Sequence, residues 1–255
     1  MKAQKIITVI SLAAIFALGI WAMGQSPGWQ VISSYHTGLL QRTAGQAHNV
    51  RLAARAMNGK IIPPRGEFSF NRIVSSWSGD RGYVKAPVSY DGELIPAWGG
   101  GVCQASSTLY NAALLSGLEI TERHRHHFPA RYVPPGQDAA VAQYNIDLRF
   151  RNPYNYPIKI EAKVEGDKLI CRILSQKPLG KKISVEREIK QVTAPGEVVR
   201  GSLTSPDSHW RVTNHGAPGL RVAVYRRITT GNLSERTLIS EDTYPPLNRL
   251  VEAER

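Results

Sequence analysis

The most apolar stretch of the chain lies at its start, where only Thr8, Ser11 and Gly19 interrupt a hydrophobic run from Ile6 to Met23. Lys2 and Lys5 precede it. The run is nearer the roughly 20 residues that span a bilayer than the about 7–15 of a signal-peptide core. The leading lysines suit an N-terminus held in the cytoplasm. Ala22-Met23-Gly24 is a small-x-small sequence open to a signal peptidase, so a cleaved signal stands beside an uncleaved anchor. Either device exports the rest of the chain. Residues 1–24 are read as the anchor or signal segment and 25–45 as a polar stalk.

Beyond the stalk the pattern changes period twice. Ala47, Val50, Ala53 or Ala54, and Met57 recur at helical spacing and predict a helix over Gln46–Asn58, closed by Asn58-Gly59, residues tolerant of positive φ. Pro63-Pro64-Arg65-Gly66 predicts a turn, and Glu67–Asn71 alternates like a short strand. After a turn-rich segment, Gly99-Gly100-Gly101 leads into a second helix over 102–116. Its apolar face is Val102, Ala105, Leu109, Ala112, Ala113 and Ser116, with Gly117 as the stop. Strands are predicted at 119–127, 141–151, 158–164 and 168–174, the last two as a hairpin across Glu165-Gly166-Asp167. Residues 175–182 read as a linker, and short Val/Ile/Thr/Tyr-rich runs over 183–255 predict a β-rich C-terminal region. The fold class expected is α+β: helices packed on a mostly antiparallel sheet, followed by that β-rich region.

Lys and Arg number 32 against 20 Asp and Glu, a net charge of +12. That excess speaks of polyanionic partners or a solvated basic surface and not of fold. Zinc-finger spacing, aromatic–basic stacking runs and basic-region heptads are all missing, so no nucleic-acid partner is expected. An anionic lipid surface or a cell wall remains. The two cysteines, Cys103 and Cys171, allow at most one disulfide, and a chain of this size needs none to fold. Cys171 alternates with Leu169 and Ile173 on a strand face, which predicts a buried, inert thiol.

Cys103 has a different setting. Three glycines deliver it to the first turn of a helix, where unpaired N–H groups and the helix dipole favour a thiolate. Glu122-Arg123-His124-Arg125-His126-His127 comes next. Strand alternation puts His124 and His126 on one face, and Asp138 or Asp147 is placed downstream to orient an imidazole. Nucleophile at a helix start, then histidine, then carboxylate is the order of cysteine peptidases and transglutaminase-like enzymes. Two alternatives stand beside it. His124 and His126 with Cys103 have the makings of a zinc site, and the whole cluster also fits a solvated basic edge.

The segment Gly99-Gly100-Gly101-Val102-Cys103-Gln104-Ala105-Ser106-Ser107-Thr108-Leu109-Tyr110-Asn111-Ala112-Ala113 closely resembles the hallmark of the VanW family. The resemblance extends upstream through Phe68-Ser69-Phe70-Asn71, Arg81-Gly82-Tyr83 and Ala86-Pro87-Val88. Downstream it includes Glu122-Arg123, His124, His126, Tyr132-Val133-Pro134, Gly136, Asp138-Ala139 and Asp147–Phe150 with Asn152. It covers about residues 46–175, and the tail around Val224-Tyr225-Arg226 and Asp242-Thr243-Tyr244-Pro245 is also similar to such proteins. His127 stands where serine is expected, Ala140 where threonine is, and Ser75 where glycine is usual. The resemblance implies a cell-envelope setting linked to vancomycin resistance, and through it peptidoglycan chemistry.

Together these readings lead us to expect an extracytoplasmic envelope protein that binds or processes peptidoglycan or its precursors. Cys103 is the expected nucleophile, His126 (or His124) the base and Asp138 the orienting carboxylate. Gly99, Gly100, Gly101, Gln104 and Tyr132 are expected to meet substrate, with Gln104 aiding an oxyanion. No cofactor and no metal enter this scheme. A non-catalytic module that recognises the wall or a partner protein is the competing expectation.

Overall fold

The structure is a computed structural model that describes residues 28–90, 93–143, 145–201 and 209–254. The expected anchor or signal, residues 1–24, lies outside the described residues. Among the described residues no helix is long and apolar enough to cross a membrane. Strand outweighs helix there by 49% to 17%, so the fold is mostly antiparallel sheet with a β-rich C-terminal region.

Strand β1 (Gln30–Gly38) opens the described chain. Helix α1 (Ala44–Met57) follows, then β2 (Ile61–Ile62), β3 (Glu67–Ser69) and the short helix α2 (Phe70–Val74). Hairpin β4 (Lys85–Tyr90) and β5 (Glu93–Trp98) leads into α3 (Val102–Leu115). Next come β6 (Glu119–Glu122), β7 (Arg149–Arg151), β8 (Ile158–Glu165) and β9 (Lys168–Ser175). The main sheet has the order β1-β9-β8-β2, all antiparallel. Ile158, Ile160, Leu169, Cys171 and Ile173 from β8 and β9 share one core with Val50, Ala53 and Met57 of α1 and with Leu109 and Ala113 of α3.

Several expectations are corrected here. Residues 30–38, expected to be stalk, form β1 paired along β9. Its inward positions are Ser33 and Thr37, polar residues satisfied inside the protein, so no apolar alternation marks it. Ser33 Oγ donates to the Ala112 carbonyl at 2.7 Å, and Thr37 Oγ1 meets Thr108 Oγ1 at 2.9 Å. The strand expected over 119–127 stops at Glu122, and that over 141–151 narrows to 149–151. Phe70-Asn71 begins a helix instead of ending a strand, because Ser69 Oγ accepts from Arg72 N and Asp147 Oδ1 from Asn71 N.

Helix α1 starts two residues before its periodic pattern does. Thr43 and Gln46 form a reciprocal capping box, which satisfies two otherwise orphaned N–H groups. The C-terminal strands are β10 (Lys182–Thr193), β11 (Glu197–Arg200), β12 (His209–Asn214), β13 (Gly219–Thr230), β14 (Leu233–Tyr244) and β15 (Arg249–Glu254). They form two three-stranded sheets, β10-β13-β14 and β11-β15-β12, with β11 and β15 parallel. Val185 and Ile239 of the first sheet pack on the central core, and Arg226 Nη1 donates to the Leu118 carbonyl at 2.7 Å. That contact brings the C-terminal sheet against the segment after α3.

Candidate active site

Helix α3 runs through the interior. Twelve of its fourteen residues are buried, and the exceptions are Cys103 in the first turn and Leu115 in the last. The preceding glycines set this position. Gly99 and Gly101 have φ of +76° and +105°, and a Cβ on Gly101 would stand 2.7 Å from the Gln46 carbonyl oxygen. A Cβ on Gly100 would meet the Ala86 carbonyl oxygen at 2.6 Å. The run is therefore clamped between α1 and β4. This packing accounts for the missing side chains. Asn49 adds to the clamp by donating to the Gly100 and Val84 carbonyls.

Cys103, Ser106, Ser107 and Asn111 lie on one stripe of α3, three, four and eight residues apart. The three polar members hold the segment that carries Asp138. Ser106 Oγ donates to the Ala139 carbonyl at 2.5 Å, Ser107 Oγ accepts from Ala139 N at 2.9 Å, and Asn111 Nδ2 donates to the Gln137 carbonyl at 2.8 Å. Asp138, fully buried, then accepts from both His126 Nδ1 and His126 N at 2.7 Å through Oδ2. The His126 side chain also interacts electrostatically with the Cys103 thiol. Cys103 Sγ also lies 3.4 Å from the Val141 carbonyl oxygen. The structure thus brings Cys103, His126 and Asp138 together in that order.

The electrostatics of this line are strong. Burial works against a charged His126, but its hydrogen bond to Asp138 and its interaction with Cys103 prevail and raise its pKa to about 10. Burial likewise opposes ionisation of Cys103. The interaction with His126 and its positive charge outweigh it and hold the thiol below its ordinary value. Asp138 is drawn down to about 2 against its own burial, by His126 and by Arg123. The two interactions together bias the pair toward thiolate and imidazolium.

Behind Asp138 sits a second layer from the far end of the chain. Tyr244 Oη donates to Asp138 Oδ1 at 2.5 Å and accepts from Gly136 N at 2.8 Å. Burial pushes the Tyr244 pKa well up, so the phenol keeps the proton it donates. Arg123 reaches the Asp138 carbonyl through Nε at 2.6 Å and Asp138 Oδ1 through Nη2 at 3.1 Å. Its Nη1 holds both oxygens of Asp242 at 2.7 and 2.6 Å. Asp242 and Tyr244 stand at the end of β14. Their contribution is invisible to local pattern reading because they lie more than 100 residues from Asp138.

The remaining expected site residues have other places. His124 Nε2 turns to Glu122 Oε1 at 3.0 Å, and Asp147 serves Ser69, Asn71 and Arg149. Gln104 Nε2 donates to Thr37 Oγ1 and to the Gly38 carbonyl at 2.9 and 2.8 Å, so both its amide hydrogens are committed to β1 and none is left for an oxyanion. Tyr132 does stand at the site. Its ring meets the His126 ring edge-on at 6.4 Å, and its hydroxyl lies near Ser107 without reaching hydrogen-bond geometry. Cys171 is fully buried in β9, with its pKa pushed up to about 12 by burial. Both cysteines are free thiols.

A family model described as VanW like protein matches residues 45–174, just over half of the chain. The chain belongs to the VanW-like family. The match takes in α1, the glycine run, α3, His126 and Asp138, so the whole Cys103–His126–Asp138 line falls within the family's own segment. Uncharacterized protein YoaR of Bacillus subtilis is 40% identical over 146 residues, covering 57% of this chain and 48% of that protein. Vancomycin B-type resistance protein VanW of Enterococcus faecalis is 32% identical over 134 residues, covering 51% and 49%. This VanW-like chain is thus matched to about half the length of each relative. Two solved structures, HP0197-G5 and the IgA1 protease G5 domain, cover 28% and 29% of the chain and 95% and 92% of their own. Their identities are 18% and 19% and their TM-scores 0.18 and 0.21, values that assign no fold to any part of this chain.

Proposed function

We propose that this protein is a thiol-dependent hydrolase or acyl transferase of the cell envelope, acting on an amide bond of peptidoglycan or its precursors. The observation that carries the reading is the His126 ring held by Asp138 and coupled electrostatically to the Cys103 thiol at the start of α3. The name of the Enterococcus faecalis relative, a vancomycin resistance protein, supports an envelope substrate. The basic N-terminal flank and apolar run of residues 1–24 support an extracytoplasmic location, with the segment as anchor or as cleaved signal.

In the proposed reaction the Cys103 thiolate attacks the amide carbonyl carbon, forming a C–S bond while the carbonyl π pair moves onto oxygen. The Cys103 N–H, among the first-turn groups an α-helix leaves without an intrahelical acceptor, faces that oxyanion. His126 gives its proton to the departing amine as the C–N bond breaks, leaving a thioester. Water, or an acceptor amine, then attacks the thioester carbonyl as His126 removes its proton. The acyl product leaves and the thiolate–imidazolium pair is restored. Asp138 holds the imidazole oriented throughout and stabilises it whenever it carries the proton.

The test is the rate of Cys103 alkylation against pH, together with release of peptides from peptidoglycan fragments. Alkylation should already be fast at neutral pH, and turnover should fall as pH rises through about 10, where His126 loses its proton. The His126–Asp138 pair stabilises the fold fully below the ordinary histidine value of about 6.5, and that contribution fades as pH rises through about 10. His126→Ala should move the alkylation curve upward, and Asp138→Asn should lower the upper limb. Cys103→Ala should abolish peptide release. Turnover that survives Cys103→Ala, or a thiol that titrates like free cysteine, overturns the proposal and leaves a non-catalytic wall-binding or partner-binding module.

A further inference from the structure

We infer that Arg42 is the specificity-determining residue of the site and that the substrate presents a carboxylate to it: an acidic peptide. The inference rests on the proposed thiol chemistry and names the substrate class for it. Arg42 lies in the turn between β1 and α1, where its own N–H donates to the Leu39 carbonyl at 2.9 Å. Its guanidinium carbon stands 4.8 Å from the Tyr132 ring centroid. The Tyr132 ring in turn meets the His126 ring at 6.4 Å. Arg42 therefore reaches to within about 11 Å of the His126 ring, the span of one or two peptide residues at roughly 3.3–3.6 Å each, with a side chain's length to spare.

What singles Arg42 out is its lack of an anion. Arg123 is committed to Asp138 and Asp242, and Arg125 to the His126 and His127 carbonyls, with its guanidinium over Tyr244. Arg42 is half-buried, and among the described residues no carboxylate lies in ion-pair range of it. A half-buried guanidinium loses hydration that a cation–π contact replaces only in part. A planar fork of donors left without an anion suits bidentate binding of a carboxylate. The Tyr132 ring lies within reach of both the Arg42 guanidinium and the His126 ring, which gives this expected substrate contact its place.

The experiment compares two small alkylating probes on the intact protein, anionic iodoacetate and neutral iodoacetamide. Each loses iodide as the Cys103 thiolate forms the new C–S bond. The readout is the ratio of their rates at Cys103, which cancels changes in thiolate content. The parent should favour iodoacetate relative to free cysteine. Arg42→Gln should lower the ratio roughly three- to tenfold, the Coulombic effect of one cation at this range, and Arg42→Lys should restore part of it. A ratio unchanged by Arg42→Gln, or equal slowing of both probes, overturns the inference while leaving the thiol chemistry intact. Iodoacetamide labelling no faster than that of an ordinary thiol instead defeats the proposed catalytic pair.

Discussion

Ser75 ends helix α2 with φ 62° and ψ −156°, a region that glycine enters freely and a side chain enters under strain. The family resemblance leads to glycine at this point, and the backbone shows why. Ser75→Gly should raise stability by about 1 kcal/mol, the relieved strain less the extra entropy of glycine in the unfolded chain. A higher urea midpoint with an unchanged slope is the expected readout. Legibility at this scale divides by distance in sequence. Cys103, His126 and Asp138 are legible because a glycine-led helix start, a histidine cluster and a nearby carboxylate all lie within 36 residues. The stripe of Ser106, Ser107 and Asn111 beside Cys103 carries the same helical spacing, and its polarity in so apolar a helix is a signal for partners. Gln104 misleads, since adjacency to Cys103 in sequence turns its side chain to a different face of α3.

At the scale of elements, the glycine run is the joint between α1, β4 and α3. Gly101→Ala forces a side chain into positive φ, at about 1–2 kcal/mol, and against the Gln46 carbonyl, which adds about 1–3 kcal/mol of overpacking. A loss of about 3 kcal/mol is expected by chemical denaturation, with slower Cys103 alkylation because the first turn of α3 is displaced. The helices and the β8–β9 hairpin are readable because their periodicities are sustained. Strand β1 is not, since Ser33 and Thr37 face inward to hydrogen-bond α3 and leave no hydrophobic alternation. β6 ends early and β7 begins late because side chains take over from the ladder: Glu122 accepts from Asp147 N, and Asp147 caps α2.

Across the whole molecule, β14 braces a site built some 120 residues earlier. Arg123, 6% exposed, needs both of its carboxylates. Asp242→Asn leaves a buried guanidinium half-compensated and should cost about 3 kcal/mol. Alkylation of Cys103 should slow with it, since Arg123 anchors Asp138; intact stability and an unmoved alkylation curve would show the C-terminal sheet to be independent of the site. That the tail is β-rich follows from its composition, whereas its service to Asp138 depends on a tertiary contact that no local pattern encodes. The two thiols lie equally far apart in character, one half-exposed at a helix start and the other sealed in β9. An oxidant that converts Cys103 to a sulfenic acid therefore finds no second thiol within the chain to condense with it. The oxidised thiol would wait until a reductant from outside reached the sulfur, and the state of Cys103 would be governed by the redox poise of its surroundings.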